Sequence, residues 1–217
     1  FLSWIYLGIN VRDCAVENFR LRHILIEKRR CLMKIYIDQG HNPRNPNAGA
    51  EGNGLREQDI TYKVGVELAE DLQAAGIETR LSRPLPTTSL GTSNASSLAA
   101  RVNDANSWGA DYFISLHTNA SEIESASGSE GLVYALGTRA AVLSENILEQ
   151  LNASTGLRNR GTTARPSLYV LRRTQMPAVL VEMGFITNPS DAYLMDTRPW
   201  LFADGIANGI LAYLGEL

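Results

Sequence analysis

Cysteine is scarce in this 217-residue chain: the two present, Cys14 and Cys31, both fall within the first 32 residues. Two cysteines cannot build a disulfide framework, and at that spacing they give each other no metal or redox role. Long apolar runs are missing too. No stretch approaches the roughly 18 to 20 apolar residues of a membrane-spanning helix. A surplus of positive charge is likewise absent, with 20 Lys and Arg against 23 Asp and Glu and a net charge of -3. That balance argues against nucleic acid, or any partner held mainly through phosphates. What is present is ordinary: 44% hydrophobic and 20% charged residues, enough apolar material for one folded core and too much for a disordered chain.

The charge is unevenly spread. Residues 1–32 hold six basic side chains (Arg12, Arg20, Arg22, Lys28, Arg29, Arg30) and three acidic ones (Asp13, Glu17, Glu27), which leaves 14 basic and 20 acidic for residues 33–217. The first segment is thus +3 and the remainder -6. An apolar stretch, Phe1 to Ile9, precedes the basic residues, the reverse of a secretory signal. A truncated signal, a membrane-surface anchor and a basic helix remain open. The expected reading is a basic N-terminal extension outside the fold, ahead of a start at Met33, with the export route undetermined.

From Met33 onward strand-like and helix-like segments alternate. Strands are predicted at residues 34–38, 77–81, 112–116, 131–136, 168–171 and 178–181. Helical spacing runs through Ile60, Val64, Leu68 and Leu72, through Leu98, Val102 and Ala105, through Leu143, Ile147 and Leu151, and through Ile206, Ile210 and Leu214. This alternation predicts a single α/β domain over 33–217 with a largely parallel sheet.

In such sheets ligands bind at the carboxyl ends of the strands, and that rule selects four residues. His41 follows the first strand, Glu57 opens the next helix on its sheet-facing stripe, His117 follows the strand at 112–116, and Glu182 ends the strand at 178–181. Each alone has an ordinary alternative: a hydrogen-bonded turn histidine, a carboxylate complementing a helix dipole, a satisfied strand-end carboxylate. Yet the chain has three histidines in all, and the two beyond residue 32 both fall on this rim. Two histidines and a carboxylate suit a catalytic zinc with water in the fourth position. With His41, Glu57 and His117 on the metal, Glu182 is left as the general base.

At these residues the sequence resembles the zinc-dependent N-acetylmuramoyl-L-alanine amidases of the Amidase_3 type, over residues 34–215. The matching motifs are Ile37-Asp38-Gln39-Gly40-His41-Asn42, Gly54-Leu55-Arg56-Glu57, Thr79-Arg80-Leu81-Ser82-Arg83, Leu98-Ala99-Ala100-Arg101, Ile114-Ser115-Leu116-His117-Thr118-Asn119-Ala120, and Pro177 through Asn188 around Glu182. The resemblance implies a twisted, mostly parallel six-stranded sheet flanked by helices on both faces and one zinc ion per chain. It also implies cleavage of the amide between N-acetylmuramic acid and L-alanine of the stem peptide, by a monomer acting on peptidoglycan or muropeptides outside the cell or in its wall. Glu51 is a second candidate for the acidic ligand, but lacks the helical placement of Glu57. Asn42 and Thr163 depart from residues common in the family. Residues 82–95 and 119–130 are too short and polar for the blocking helix of autoinhibited members, so an open site is expected.

Arg158, Arg160, Arg165, Arg172 and Arg173 form a basic cluster that either meets stem-peptide carboxylates or is simply solvated. Arg165, Asn119 and Asn188 are the candidate substrate contacts, with loop bracing as the other role for the two asparagines. Rival readings are another zinc peptidase or deacylase of the same geometry, and a non-catalytic muropeptide-binding domain. A binding-only domain has no need of the Glu182 carboxylate.

Overall fold

The computed structural model of the chain describes residues 33–216; the expectation for residues 1–32 lies outside them. Among the described residues, eight strands and six helices follow one another. They are β1 (Lys34–Gln39), β2 (Glu51–Gly52), β3 (Leu55–Arg56), α1 (Glu57–Ala74), β4 (Glu78–Leu81), α2 (Asn94–Trp108) and β5 (Tyr112–Asn119). Then come β6 (Ser129–Val133), α3 (Arg139–Thr155), β7 (Asn159–Ala164), α4 (Tyr169–Arg173), β8 (Ala178–Phe185), α5 (Pro189–Thr197) and α6 (Pro199–Glu216). The six-stranded sheet has the order β4-β1-β5-β8-β6-β7, and β2 with β3 forms a separate short hairpin. Every pair in the large sheet is parallel except β6 with β8.

Side chains alternate across the strands with the period of two that a pleat imposes. Ile35, Ile37, Ile114, Leu116, Val179 and Val181 face one way, into a core shared with α1, α3 and α6. Tyr36, Phe113, Ala178 and Leu180 face the other, into a smaller core shared with α2 and α4. Helix α1 presents Ile60, Val64, Leu68 and Leu72 at a spacing of four, all buried. Each such side chain contributes about 1.5–3 kcal/mol. Helix α2 begins in a capping box between Ser93 and Ser96, and ends at Gly109 in the left-handed region (φ 71°), which a residue without Cβ adopts at low cost.

Two segments differ from expectation. Residues 168–171 are not a strand: Leu168 is the N-cap of α4, and Val170 and Leu171 are buried on one side of that helix. A four-residue apolar run does not distinguish a buried strand from a buried helical turn. The sixth strand is β7, Asn-Arg-Gly-Thr-Thr-Ala, whose residues are exposed or half-buried. As an edge strand it buries little and carries no apolar alternation to reveal it. The segments 82–93 and 120–128 contain no helix.

Candidate metal centre

The ends of β1 and β5 lie side by side, Gln39 in register with Leu116, so the residues that follow them meet. His41 comes two residues after β1 in the left-handed region (φ 67°), uncommon for a residue with a Cβ. His117 lies within β5, in register with Glu182 of β8. By the alternation of the strands, His117 and Glu182 lie on the α2/α4 face of the sheet. Glu57 enters from the first turn of α1.

Three of the four residues singled out from the sequence, His41, Glu57 and His117, come together, and Glu182 stands in register with His117. His41 Nε2 stands 3.2 Å from Glu57 Oε2, and His117 Nδ1 stands 3.0 Å from Glu57 Oε1. The imidazoles meet edge to face, centroids 4.8 Å apart. One ligand atom from each of His41, Glu57 and His117 lies within 4.8 Å of the others, a group able to hold a metal ion. Glu51 stays in the β2–β3 hairpin, exposed, and is not part of that group.

Glu57 is held from several sides. The amides of Thr118 and Ala50 donate to its two oxygens at 2.9 Å each. Burial opposes its ionisation, but the hydrogen bonds and charges of His117 and His41 outweigh burial and hold its carboxyl well below the usual range. His117 shows the converse: burial works against its charged form, yet the hydrogen bond and charge of Glu57 raise its pKa overall. Glu182 is pushed up to about 7 by burial; His117 opposes this, and the neighbouring charges of Glu57 and Glu130 add to it. Glu182 Oε2 and His41 Nδ1 are buried without a hydrogen-bond partner.

Zinc fits this donor set. Two imidazoles and one carboxylate are a catalytic zinc set, and ligands about 2.0–2.1 Å from a tetrahedral ion stand roughly 3.3 Å apart. Here one ligand atom from each of the three residues lies within 4.8 Å of the others. The buried, unpartnered oxygen of Glu182, one strand away, suits a group that handles a proton from a water in the fourth position.

Several supporting residues carried no assigned role in the sequence reading. Arg101 is 1% exposed. Its Nη1 donates to Asp38 Oδ1 at 2.6 Å and Gln39 O at 2.7 Å, and its Nη2 to the backbone oxygen of His41. One buried guanidinium thus holds the turn that carries His41. Burial alone would raise the Asp38 carboxyl, but Arg101 overrides it and leaves its pKa below the ordinary value. The signal was there: Arg101 lies three residues from Leu98 on the apolar stripe of a helix, where an isolated charge needs a partner. Gly49 was not legible. A Cβ there would stand 2.7 Å from Glu57 Oε2 and 2.8 Å from His41 Cδ2.

The candidate substrate contacts separate. Asn119 ends β5 at the rim, its Oδ1 accepting from Ala120 N at 2.9 Å. Asn188 caps α5, accepting from Ser190 N and Asp191 N, while its Nδ2 donates to Glu124 O. Arg165 follows β7, and its backbone oxygen accepts from Leu168 N at 3.2 Å. Its N–H bonds Val133 O, and Val133 is in register with Val179, three residues before Glu182. Of the basic cluster, Arg160 lies over the Phe185 ring at 5.1 Å and donates to Ser127 O, and the Arg158 backbone oxygen accepts from Ser129 N.

Comparison with known proteins agrees with this geometry. The chain is 34% identical over 184 residues to N-acetylmuramoyl-L-alanine amidase CwlM of Bacillus licheniformis, spanning 82% of this chain and 68% of that protein. The CwlD amidase from Clostridioides difficile, solved in complex with the GerS lipoprotein, superposes with a TM-score of 0.79 at 26% identity over 85% of this chain and all of its own. The amidase AmiC2 of Nostoc punctiforme gives 0.73 at 30% identity over 84% of this chain and 97% of its own. Residues 35–212 match the Amidase_3 family, described as N-acetylmuramoyl-L-alanine amidase, and the chain, with its mostly parallel six-stranded sheet, belongs to that family of hydrolases.

Proposed function

We propose that the chain hydrolyses the amide joining the lactyl carbonyl of N-acetylmuramic acid to L-alanine in peptidoglycan, with His41, Glu57 and His117 holding one zinc ion and Glu182 acting as general base. The observation that carries this reading is the pairing of a three-residue metal-binding group with a second buried carboxylate in register with His117. When bound, zinc supplies Lewis acidity, polarising the scissile carbonyl and lowering the pKa of water to about 7. The unpartnered Oε2 of Glu182 takes the proton of the attacking water and returns it to the departing amide nitrogen. A carboxylate at that position can accept the proton and give it back, as general acid–base catalysis requires. Arg101, through the backbone of His41, and the amides of Ala50 and Thr118, through Glu57, fix the ligands before substrate arrives.

No helix among the described residues is long and apolar enough to cross a membrane. The substrate places the enzyme in the cell wall or outside the cell, and the reading takes it to act as a monomer. Mass spectrometry of peptidoglycan digests tests the assignment. Free stem peptides beginning with L-alanine are expected, lost on chelation and restored by zinc. Glu182→Ala should retain one zinc per chain while losing turnover by at least the hundredfold typical of general acid–base catalysis. Wild-type release by that variant would remove the base assignment; a protein that binds no zinc would remove the metal.

A further inference from the structure

A cavity of about 120 Å³ lies against His41 and His117, between the sheet and helices α2 and α4. Its apolar wall is formed by Leu98 from α2, Leu168, Tyr169 and Val170 at the start of α4, and Leu180 from β8, with Gly40 and Asn47 beside His41. Asp38 and Arg101 also line it, but they bond one another at 2.6 Å. Of the four site residues this space touches His41 and His117, and neither Glu57 nor Glu182. An apolar cavity of about 150 Å³ accepts benzene, and a water occupies about 30 Å³ of liquid. The present cavity therefore suits a small aliphatic branch.

We propose that this cavity receives the small aliphatic branch that flanks the scissile amide, and that Leu98 and Leu168 determine specificity there. The inference rests on the amidase reading above. That amide carries a methyl-bearing carbon on each side, the lactyl carbon and the alanyl carbon, and both present the same chemistry to the wall. A group that leaves or overfills such a pocket typically changes kcat/KM by roughly 10–200-fold per methylene.

The test measures kcat/KM of the zinc-loaded full chain on N-acetylmuramoyl peptides with Gly, Ala, Val or Phe at position one. A parallel series replaces the lactyl group with glycolyl. Leu168→Phe fills the cavity and Leu168→Ala enlarges it, with Leu98→Phe as a second filling variant should the first misfold. If the alanyl methyl is the occupant, Gly costs the wild type tenfold or more and Phe is refused. Leu168→Phe then lowers the Ala substrate to the level of Gly while sparing Gly, and Leu168→Ala gains on Val. If the lactyl methyl is the occupant, the same pattern appears in the glycolyl series instead. Affinity for the uncleaved Ala and Gly substrates, measured with Glu182→Ala carrying the same Leu168 changes, should follow the same order. Ratios unchanged in both series by either filling variant would overturn the cavity assignment while leaving the amidase standing. Failure of the wild type to cleave any muramoyl peptide would overturn the amidase reading, and this proposal with it.

Discussion

Gly49 shows how narrow the tolerance around the metal group is. Its φ lies outside the left-handed region, so alanine strains no backbone there; the cost is contact alone. A Cβ at 2.7 Å from Glu57 Oε2 and 2.8 Å from His41 Cδ2 must displace one ligand or the other. Gly49→Ala is expected to remain folded but to bind zinc roughly 10–100-fold more weakly, the range for a disturbed supporting shell. Competition against a chelator measures this; affinity within twofold of wild type would mean that the loop simply moves aside. The meeting of His41, His117 and Glu57 was legible in the sequence because strand-end and helix-start placement singles out residues of their chemistry. Gly49 was not, because its role is the absence of a side chain at one point in space.

At the scale of elements, β1 and α2 are joined by one buried ion pair, Asp38 with Arg101, both side chains at most 2% exposed. Removing a single partner strands the other charge, so Arg101→Met should cost about 3–5 kcal/mol. Replacing both, as Asp38→Leu with Arg101→Met, should recover most of that, since an apolar pair of similar volume is often neutral. Zinc affinity should not recover, because the His41 carbonyl has still lost its donor. Denaturant titration and metal competition on the two variants separate the effects; full recovery of zinc binding by the double variant would reduce the pair to a fold-stabilising role. Element boundaries show where sequence reading stops. The central strands announced themselves through β-rich apolar runs, whereas β7 and α4 did not. The edge strand β7 buries too little to leave a pattern, and α4, five residues long, is too short for a helical period to emerge. Pairing along 50 to 60 residues of chain, as from Arg101 to His41, leaves no local trace at all.

For the molecule as a whole, acid should be the weak side. Asp38 is held below its ordinary value, so its ionised form stabilises the fold fully above the unfolded-chain pKa of about 4. That contribution is lost as the pH falls from there through the folded value. Glu57, also held low, acts in the same direction. In chelator-treated protein the denaturation midpoint is expected to fall steadily below about pH 4, and a midpoint flat from pH 5 to 3 would contradict the charge arrangement. The two outer strands have a consequence of another kind. The β4 edge carries Glu78 and Arg80, with Arg80 paired to Asp104 at 3.0 Å. The β7 edge carries Asn159, Arg160 and a left-handed Gly161. An unprotected edge recruits a strand from a neighbouring copy, and charge or an irregular backbone blocks that addition. Each margin of the sheet is closed in this way, so the protein can accumulate at high local concentration without its sheets extending into one another.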